Sequence, residues 1–186
     1  AADIAARKPT TNRFGGLIGK DTVGGIAFGL PLTNENIREG LAAAFEAGGK
    51  EGLATAPPPA QAMMGELIKG LSRTLRSGEF DVAAALNGPD KDGRYMLTAG
   101  ISFDDPAALE KELRALYKTA PGEVKALLKL DAAKAGELNV HVARVGPVLP
   151  PEAQRVFGDE AEAAFTFAPK GIYVAFGTDS VSALKA

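Results

Sequence analysis

Three stretches of the chain share one pattern, in which alternating large and small residues lead through a polar corner into an amphipathic helix. They occupy residues 26–45, 97–116 and 174–184. Alternation with a period of two is typical of a half-buried strand, whereas apolar residues three and four positions apart are typical of a helix. Because the pattern returns at intervals of roughly 70 residues, it favours a fold built from repeated strand-and-helix units.

The chain has 186 residues, which is enough for one domain of ordinary size. We predict an N-terminal arm over residues 1–13 and a single domain over 14–186. This domain is predicted to contain two repeats, at about 14–78 and 79–177, with a third unit begun at the C-terminus. The predicted fold class is α+β: a largely antiparallel sheet with helices packed on one face, built from a duplicated hairpin-helix-helix unit.

Glycine, proline and short polar residues mark the boundaries of the predicted elements. Hairpins are predicted over residues 14–30, 81–103 and 163–177, and a further strand over 138–145. Helices are predicted over residues 34–47, from Asp105 onward and over 122–134. A further helix that ends at Gly78 is predicted from an amphipathic stripe of Met64, Leu67, Ile68, Leu71 and Leu75. Gly48 and Gly49 are expected to end the first helix, because glycine readily adopts the left-handed conformation of a C-cap.

Charge and composition exclude several classes of function. The net charge of -2 leaves no electrostatic footprint for nucleic acid. The absence of cysteine excludes disulfides, thiolate metal sites and a cysteine nucleophile. No apolar run approaches the ~18 residues that a membrane-spanning helix needs, so no transmembrane segment is predicted. The chain begins at Ala1 rather than at Met and ends inside a starting helix, so we expect a processed or excised fragment.

Two short motifs resemble ligand loops and fail at required positions. A phosphate loop needs a glycine five residues before its Gly-Lys pair and a hydroxyl residue after it, but Phe14 and Asp21 occupy these positions around Gly19-Lys20. A calcium loop that opened at Asp90 would need a glutamate at its twelfth position, where the chain has Ile101. We therefore predict no cofactor, no metal ligand and no catalytic residue.

Successive side chains of a strand point to opposite faces, so the predicted strands sort into a bulky face and a small-residue face. The bulky face holds the large apolar residues, Val140 and Val142 among them, and is expected to form the core under the helices. The small-residue face is expected to be an ordinary half-exposed surface, a docking face or part of an active cleft. Its candidate binding residues are Ala83, Ala85, Thr98, Ser102, Asn139, His141 and Tyr173.

His141 is the only histidine, in the middle of a predicted strand between Val140 and Val142. A histidine can act as a general base near neutral pH when a nucleophile or an acid partner is placed against it. No Asp or Glu lies beside it on that face of its strand. The pattern therefore favours a structural histidine bonded to a neighbouring hydroxyl or to water.

The C-terminal half resembles exported bacterial proteins of no assigned activity that are built from repeated strand-helix modules. Four segments carry the resemblance: Asp92-Gly93-Arg94, Asn139-Val140-His141-Val142, Phe157-Gly158-Asp159, and the run from Ile172 to Asp179. The resemblance covers about residues 80–186. It implies an extracytoplasmic location, in the periplasm or cell envelope, and no particular reaction.

Together these observations favour a non-catalytic exported module that binds a partner or joins an assembly through the small-residue face. The partner would be another protein, the remainder of its own chain or a second copy. One alternative is a carrier of an apolar or lipid-like ligand in a groove over the sheet. A second alternative is a hydrolase-like enzyme of unknown type, which would be favoured if His141→Ala removed a measured activity without loss of stability.

Overall fold

A computed structural model gives the structure of the protein and describes residues 12–55 and 58–185. The predicted arm, 1–13, lies outside the described residues except for its last two positions. The strands are β1 (Thr22–Pro31), β2 (Glu79–Asn87), β3 (Met96–Ser102), β4 (Leu128–Ala135), β5 (Leu138–Arg144), β6 (Glu162–Ala168) and β7 (Gly171–Gly177). The helices are α1 (Glu35–Thr55), α2 (Pro58–Ser77), α3 (Pro106–Thr119), α4 (Gly122–Leu127), α5 (Pro151–Phe157) and α6 (Ser180–Lys185).

The seven strands form one sheet in the order β1-β2-β3-β7-β6-β5-β4. Every neighbouring pair is antiparallel. The last hairpin, β6–β7, is therefore inserted between β3 and β5, so residues near the C-terminus lie at the centre of the sheet. The predicted α+β class is confirmed. None of the described helices is both long and apolar enough to cross a bilayer.

The first predicted hairpin is wrong. Residues Gly15–Leu17 form a short 3-10 helix, and β1 pairs with β2 rather than with the segment before it. Phe14 explains the difference, because its ring is buried against the sheet at Gly100 and Gly171 instead of belonging to a strand. Residues 14–78 thus supply one strand and two helices, and the proposed duplication of a hairpin-helix-helix unit stays a prediction.

Two predicted helix ends are also wrong. α1 continues through Gly48 and Gly49 to Thr55, because Gly49 allows close contact with α2 and does not cap the helix. A Cβ atom at Gly49 would lie 2.7 Å from Cδ1 of Ile68. The fourth predicted helix ends at Leu127, and the residues after it form β4, which pairs with β5.

The pairing register reverses the predicted orientation of β5. His141 lies opposite Phe165 and Val140 lies opposite Thr166. His141 and Asn139 therefore belong to the bulky face, and Val140 and Val142 belong to the small-residue face. In this strand valine occupies alternate positions, and histidine, which lies between two of them, is amphipathic. The alternation within the strand therefore did not determine which of its two sides belongs to the bulky face. A shift of one residue moves every side chain of a strand to the other side.

The small-residue face is the more tightly buried face. Phe14, with 2% of its surface exposed, covers part of it and meets the Tyr173 ring edge-on at 5.1 Å. α6 covers another part, where Val181 and Leu184 pack against the buried cluster of Val140, Val142 and Ala164. Alanine and glycine allow this close approach because they leave room for a second layer. Helices therefore cover parts of both faces of the sheet, and the small-residue face is not an open surface.

The bulky face is only partly covered. α2 and α3 lie over β6, where their apolar side chains meet Phe165 and Phe167. On β1 the same face remains open, and Ile26 and Phe28 are 64% and 44% exposed. The expectation that this face forms the core under the helices is therefore wrong for its β1 end.

Candidate functional site

An apolar cavity of about 270 Å³ lies between α2, α3 and β6. Its lining consists of seven apolar side chains: Met63, Met64, Leu67, Leu109, Leu113, Phe165 and Phe167. The helical residues are spaced three and four positions apart, so each helix turns one stripe to the cavity. The two phenylalanines are two positions apart on β6, so both project from the same face of the strand.

His141 lies beside the aromatic floor of this cavity. Its ring centroid is 5.3 Å from that of Phe165 and 5.7 Å from that of Phe167, and the rings are tilted against each other. The side chain of His141 is fully buried. The two phenylalanine rings that line the cavity thus pack against a buried polar side chain. The partners of that side chain therefore affect how rigidly the two rings are held.

Arg114 holds the charged groups around His141 together. Its guanidinium donates two hydrogen bonds to Asp131, at 2.7 and 2.6 Å. Its Nε also donates to Oε1 of Glu110 at 3.0 Å, within the same turn of α3. These hydrogen bonds hold the pKa of Asp131 below its ordinary value and raise that of Arg114. The forked guanidinium fits such an arrangement because it presents several donors in one plane.

Asp131 reaches this cluster because β4 is irregular at that point. The pairing of β4 with β5 shifts register between Lys129 and Ala133, and Asp131 has a φ of 53°. This left-handed conformation is uncommon outside glycine, although Asp tolerates it better than most residues. The bulge turns the Asp131 carboxylate towards α3, and it turns the backbone N–H of the same residue towards His141.

The N–H of Asp131 donates to Nδ1 of His141 at 3.2 Å. Nδ1 is therefore an acceptor, and a neutral imidazole carries its proton on Nε2. Nε2 lies 3.4 Å from Oε1 of Glu110 and has no hydrogen-bond partner among the described residues. Burial lowers the pKa of His141 below its ordinary value, against the opposing attraction of the Glu110 carboxylate. The ring is therefore neutral at physiological pH.

Glu110, Asp131 and His141 could each offer one metal-ligand atom, and these atoms lie within 4.8 Å of one another. The chemistry of the cluster does not fit a cation. Arg114 is ion-paired with both carboxylates and competes with a cation for them, and the histidine nitrogen that has no partner among the described residues is the protonated one. A metal needs a lone pair at that nitrogen. The arrangement is better described as a neutral histidine held between an ion-paired helix and a bulged strand.

A groove of about 540 Å³ lies on the other side of α3. Arg114 and the exposed Lys111 and Lys118 line it together with Asn139 of β5. Asn139 is the only predicted binding residue that borders a described cavity near the cluster. Its backbone C=O accepts a 2.7 Å hydrogen bond from the Thr166 hydroxyl.

The other predicted binding residues lie elsewhere. Ala83, Ala85, Thr98 and Ser102 are buried on the small-residue face, and Tyr173 packs against Phe14 on that face. Only Asn139 and His141, which the register moves to the bulky face, lie near the cavity and the cluster. Binding at the seven predicted residues stays a prediction.

Sequence reasoning missed Asp131 and the cavity-lining residues as parts of a site. The spacing of Glu110 and Arg114, four positions apart, indicates by itself only a pair on the surface of a helix. Met64 and Leu67 were visible as one amphipathic stripe, but nothing local shows that the stripe leaves a gap above β6. The clearest available signal was a solitary histidine between two valines in a strand.

The chain matches no protein-family model, no curated protein and no solved structure.

Proposed function

We propose that this protein is a non-catalytic binding module that holds a small apolar ligand in the cavity between α2, α3 and β6. The observation that carries the proposal is the lining of the cavity, which consists of apolar side chains alone. A site of this kind attracts its ligand by removing apolar surface from water, at roughly 25 cal/mol for each Å² buried.

The size and chemistry of the cavity define the ligand class. A volume of about 270 Å³ lies just below the range of roughly 300–1,000 Å³ that is usual for small-molecule sites. Met63 and Met64 favour a ligand of irregular shape, because the methionine side chain is flexible and polarisable. Phe165 and Phe167 favour contact with an aromatic ring or a short alkyl chain. The ligand class is therefore a compact hydrocarbon-like group.

This proposal moves the binding surface away from the one expected from the sequence. Docking through the small-residue face is less favoured, because Phe14 and α6 already cover much of that face. The hydrolase-like alternative is less favoured, because the buried His141 uses Nδ1 to accept an N–H and keeps its proton on Nε2. The extracytoplasmic location stays a prediction.

Binding of N-phenyl-1-naphthylamine, a neutral apolar fluorophore, tests the proposal. We expect saturable fluorescence enhancement with the native chain and at least a tenfold weaker affinity for Leu67→Trp. Leu67 is 40% exposed at the edge of the cavity, so a larger ring can fill the space without disrupting a closed core. Val156→Trp is the matched control, because Val156 is 37% exposed and is not part of the cavity lining.

Equal affinities for the native chain, Leu67→Trp and Val156→Trp would rule out this cavity as the binding site. Ile26→Lys serves as a further control, since it removes an exposed apolar group on β1. If Ile26→Lys alone abolished the fluorescence, the probe would be reporting the open end of the bulky face. Non-saturable enhancement in every variant would contradict the proposal altogether.

A further inference from the structure

The two edges of the sheet differ in their protection against pairing with another strand. β4, at one edge, carries Lys129, Asp131 and Lys134 and is interrupted by a register shift. Charges and bulges of this kind discourage the addition of a further strand. β1, at the other edge, has no charged residue between Thr22 and Pro31, and its own register shift lies at the start of the strand, between Thr22 and Gly24, so that residues 24–31 pair regularly with β2. No strand among the described residues pairs with its outer side.

The side chains of β1 add a second difference. Val23, Ile26 and Phe28 are 58%, 64% and 44% exposed. A Cβ atom at Gly24 would meet nothing within 4 Å, whereas the Ile18 side chain lies against Gly25 on the small-residue face. An uncharged strand of ten residues with exposed apolar groups is a ready template for main-chain hydrogen bonds. These features indicate that the natural cover of this edge is another β-strand.

We propose that β1 pairs antiparallel with β1 of a second copy of this chain, about a two-fold axis that passes at Ala27. A strand can meet its own copy about a two-fold axis in the antiparallel sense, and two-fold dimers are the commonest assemblies of identical chains. With Ala27 on the axis, Ile26 of each copy lies opposite Phe28 of the other, and Gly25 lies opposite Gly29.

The residues of β1 favour this register. Ile26 and Phe28 project from the bulky face, so the pairing brings four exposed large side chains together around the axis. The absence of charge on the strand means that identical copies do not repel each other there. Small residues meet small residues on the opposite face, where Gly25 and Gly29 allow the backbones to approach.

The same two-fold axis also brings the exposed apolar side chains of α1 from both copies to the same side of the joint sheet. α1 packs on α2, and α2 lies on the bulky face. A two-fold axis perpendicular to the sheet keeps both copies of α1 on that side of the joint sheet. α1 carries a stripe of exposed side chains four positions apart: Ile37 at 53%, Leu41 at 42% and Phe45 at 38%. The strand pairing thus places the exposed apolar groups of β1 and of α1 from both copies on one side of the joint sheet.

Sedimentation equilibrium of the 186-residue chain tests the proposal, with a dimer expected at twice the monomer mass of 19.2 kDa. Ile26→Lys is expected to weaken dimerisation at least tenfold. In the proposed register the two new lysines are diagonal neighbours, roughly 7–8 Å apart, so their positive charges repel each other. Val124→Lys is the matched control, because Val124 is a 45% exposed apolar residue on α4. Hydrogen exchange of amides 24–30 should slow as the protein concentration rises.

A chain that stays monomeric at several hundred micromolar would overturn the proposal. A dimer that withstands Ile26→Lys but dissociates with Leu41→Lys would also overturn it, and would place the interface on α1 alone. Equal weakening by Ile26→Lys and Val124→Lys would show that the association is not specific to β1. Far-ultraviolet circular dichroism of each variant separates loss of pairing from loss of folding. The Leu67→Trp and Val156→Trp arms of the fluorophore test do not involve β1, so their comparison does not depend on this outcome.

Discussion

Phe14 and Gly100 are in contact, so substitutions at these two positions should have strongly coupled effects on the stability of the protein. A Cβ atom at Gly100 would lie 2.3 Å from Cδ1 of Phe14, which no real contact allows. Phe14 is 2% exposed and covers this part of the small-residue face. We predict that Gly100→Ala and Phe14→Ala each destabilise the protein, and that their combination costs far less than the sum of the two.

The two substitutions lower the free energy of unfolding for different physical reasons, and these reasons set the expected magnitudes. Phe14→Ala removes a buried aromatic ring and should lower the free energy of unfolding by about 3–5 kcal/mol. Gly100→Ala forces the ring of Phe14 aside and should cost about 1–3 kcal/mol, as overpacking usually does. In the double variant the new methyl group occupies space that the ring has left. Its total cost should therefore stay close to that of Phe14→Ala, with an interaction energy of about -1 to -3 kcal/mol.

Equilibrium unfolding in urea, followed by circular dichroism, gives all four free energies of the cycle. Gly171→Ala is an instructive control. Its Cβ would lie 2.8 Å from Phe14 and also 2.8 Å from the backbone oxygen of Ile101. Phe14→Ala can relieve only the first of these contacts, so the cost of Gly171→Ala should persist. Additivity within about 0.5 kcal/mol for Phe14 and Gly100 would refute the packing of Phe14 on the sheet.

Two further predictions concern the charged cluster. Burial lowers the pKa of His141, so the unfolded chain binds more protons and the folded protein should lose stability as the pH falls below about 6.5. As the pH falls, the free energy of unfolding of the native chain should decrease more steeply than that of His141→Gln, by at most about 1.4 kcal/mol per pH unit. Urea-unfolding measurements that give the same pH dependence for both chains would contradict the neutral buried ring. Arg114→Met should lower the free energy of unfolding by about 1–2 kcal/mol, a value between those typical of breaking exposed and buried ion pairs. High salt should reduce this cost, and thermal unfolding beside the exposed control Arg144→Met measures it.

The candidate site shows how far sequence reasoning reaches. The stripe of Met64 and Leu67 was predictable, because apolar residues recur at helical spacing. The cavity was not, since it is a gap between two helices and a strand that are far apart in the chain. The partners of His141 were hidden for the same reason. Glu110 and Asp131 come from α3 and from the bulge of β4, and no spacing within one strand reveals either of them.

The sequence by itself determined the class of the fold and most of its elements. The last two hairpin-forming strands, β6 and β7, and the start of α3 after Asp105 follow from alternation, turn residues and capping, which act within a few residues. Only the tertiary structure decided what depends on distant partners. It decided that Gly49 serves helix packing, that His141 faces Phe165, and that the alanine-rich face is buried while the β1 end of the bulky face stays open. Local pattern determines how a segment folds, but strand register and the cover of each face depend on elements far away in the chain.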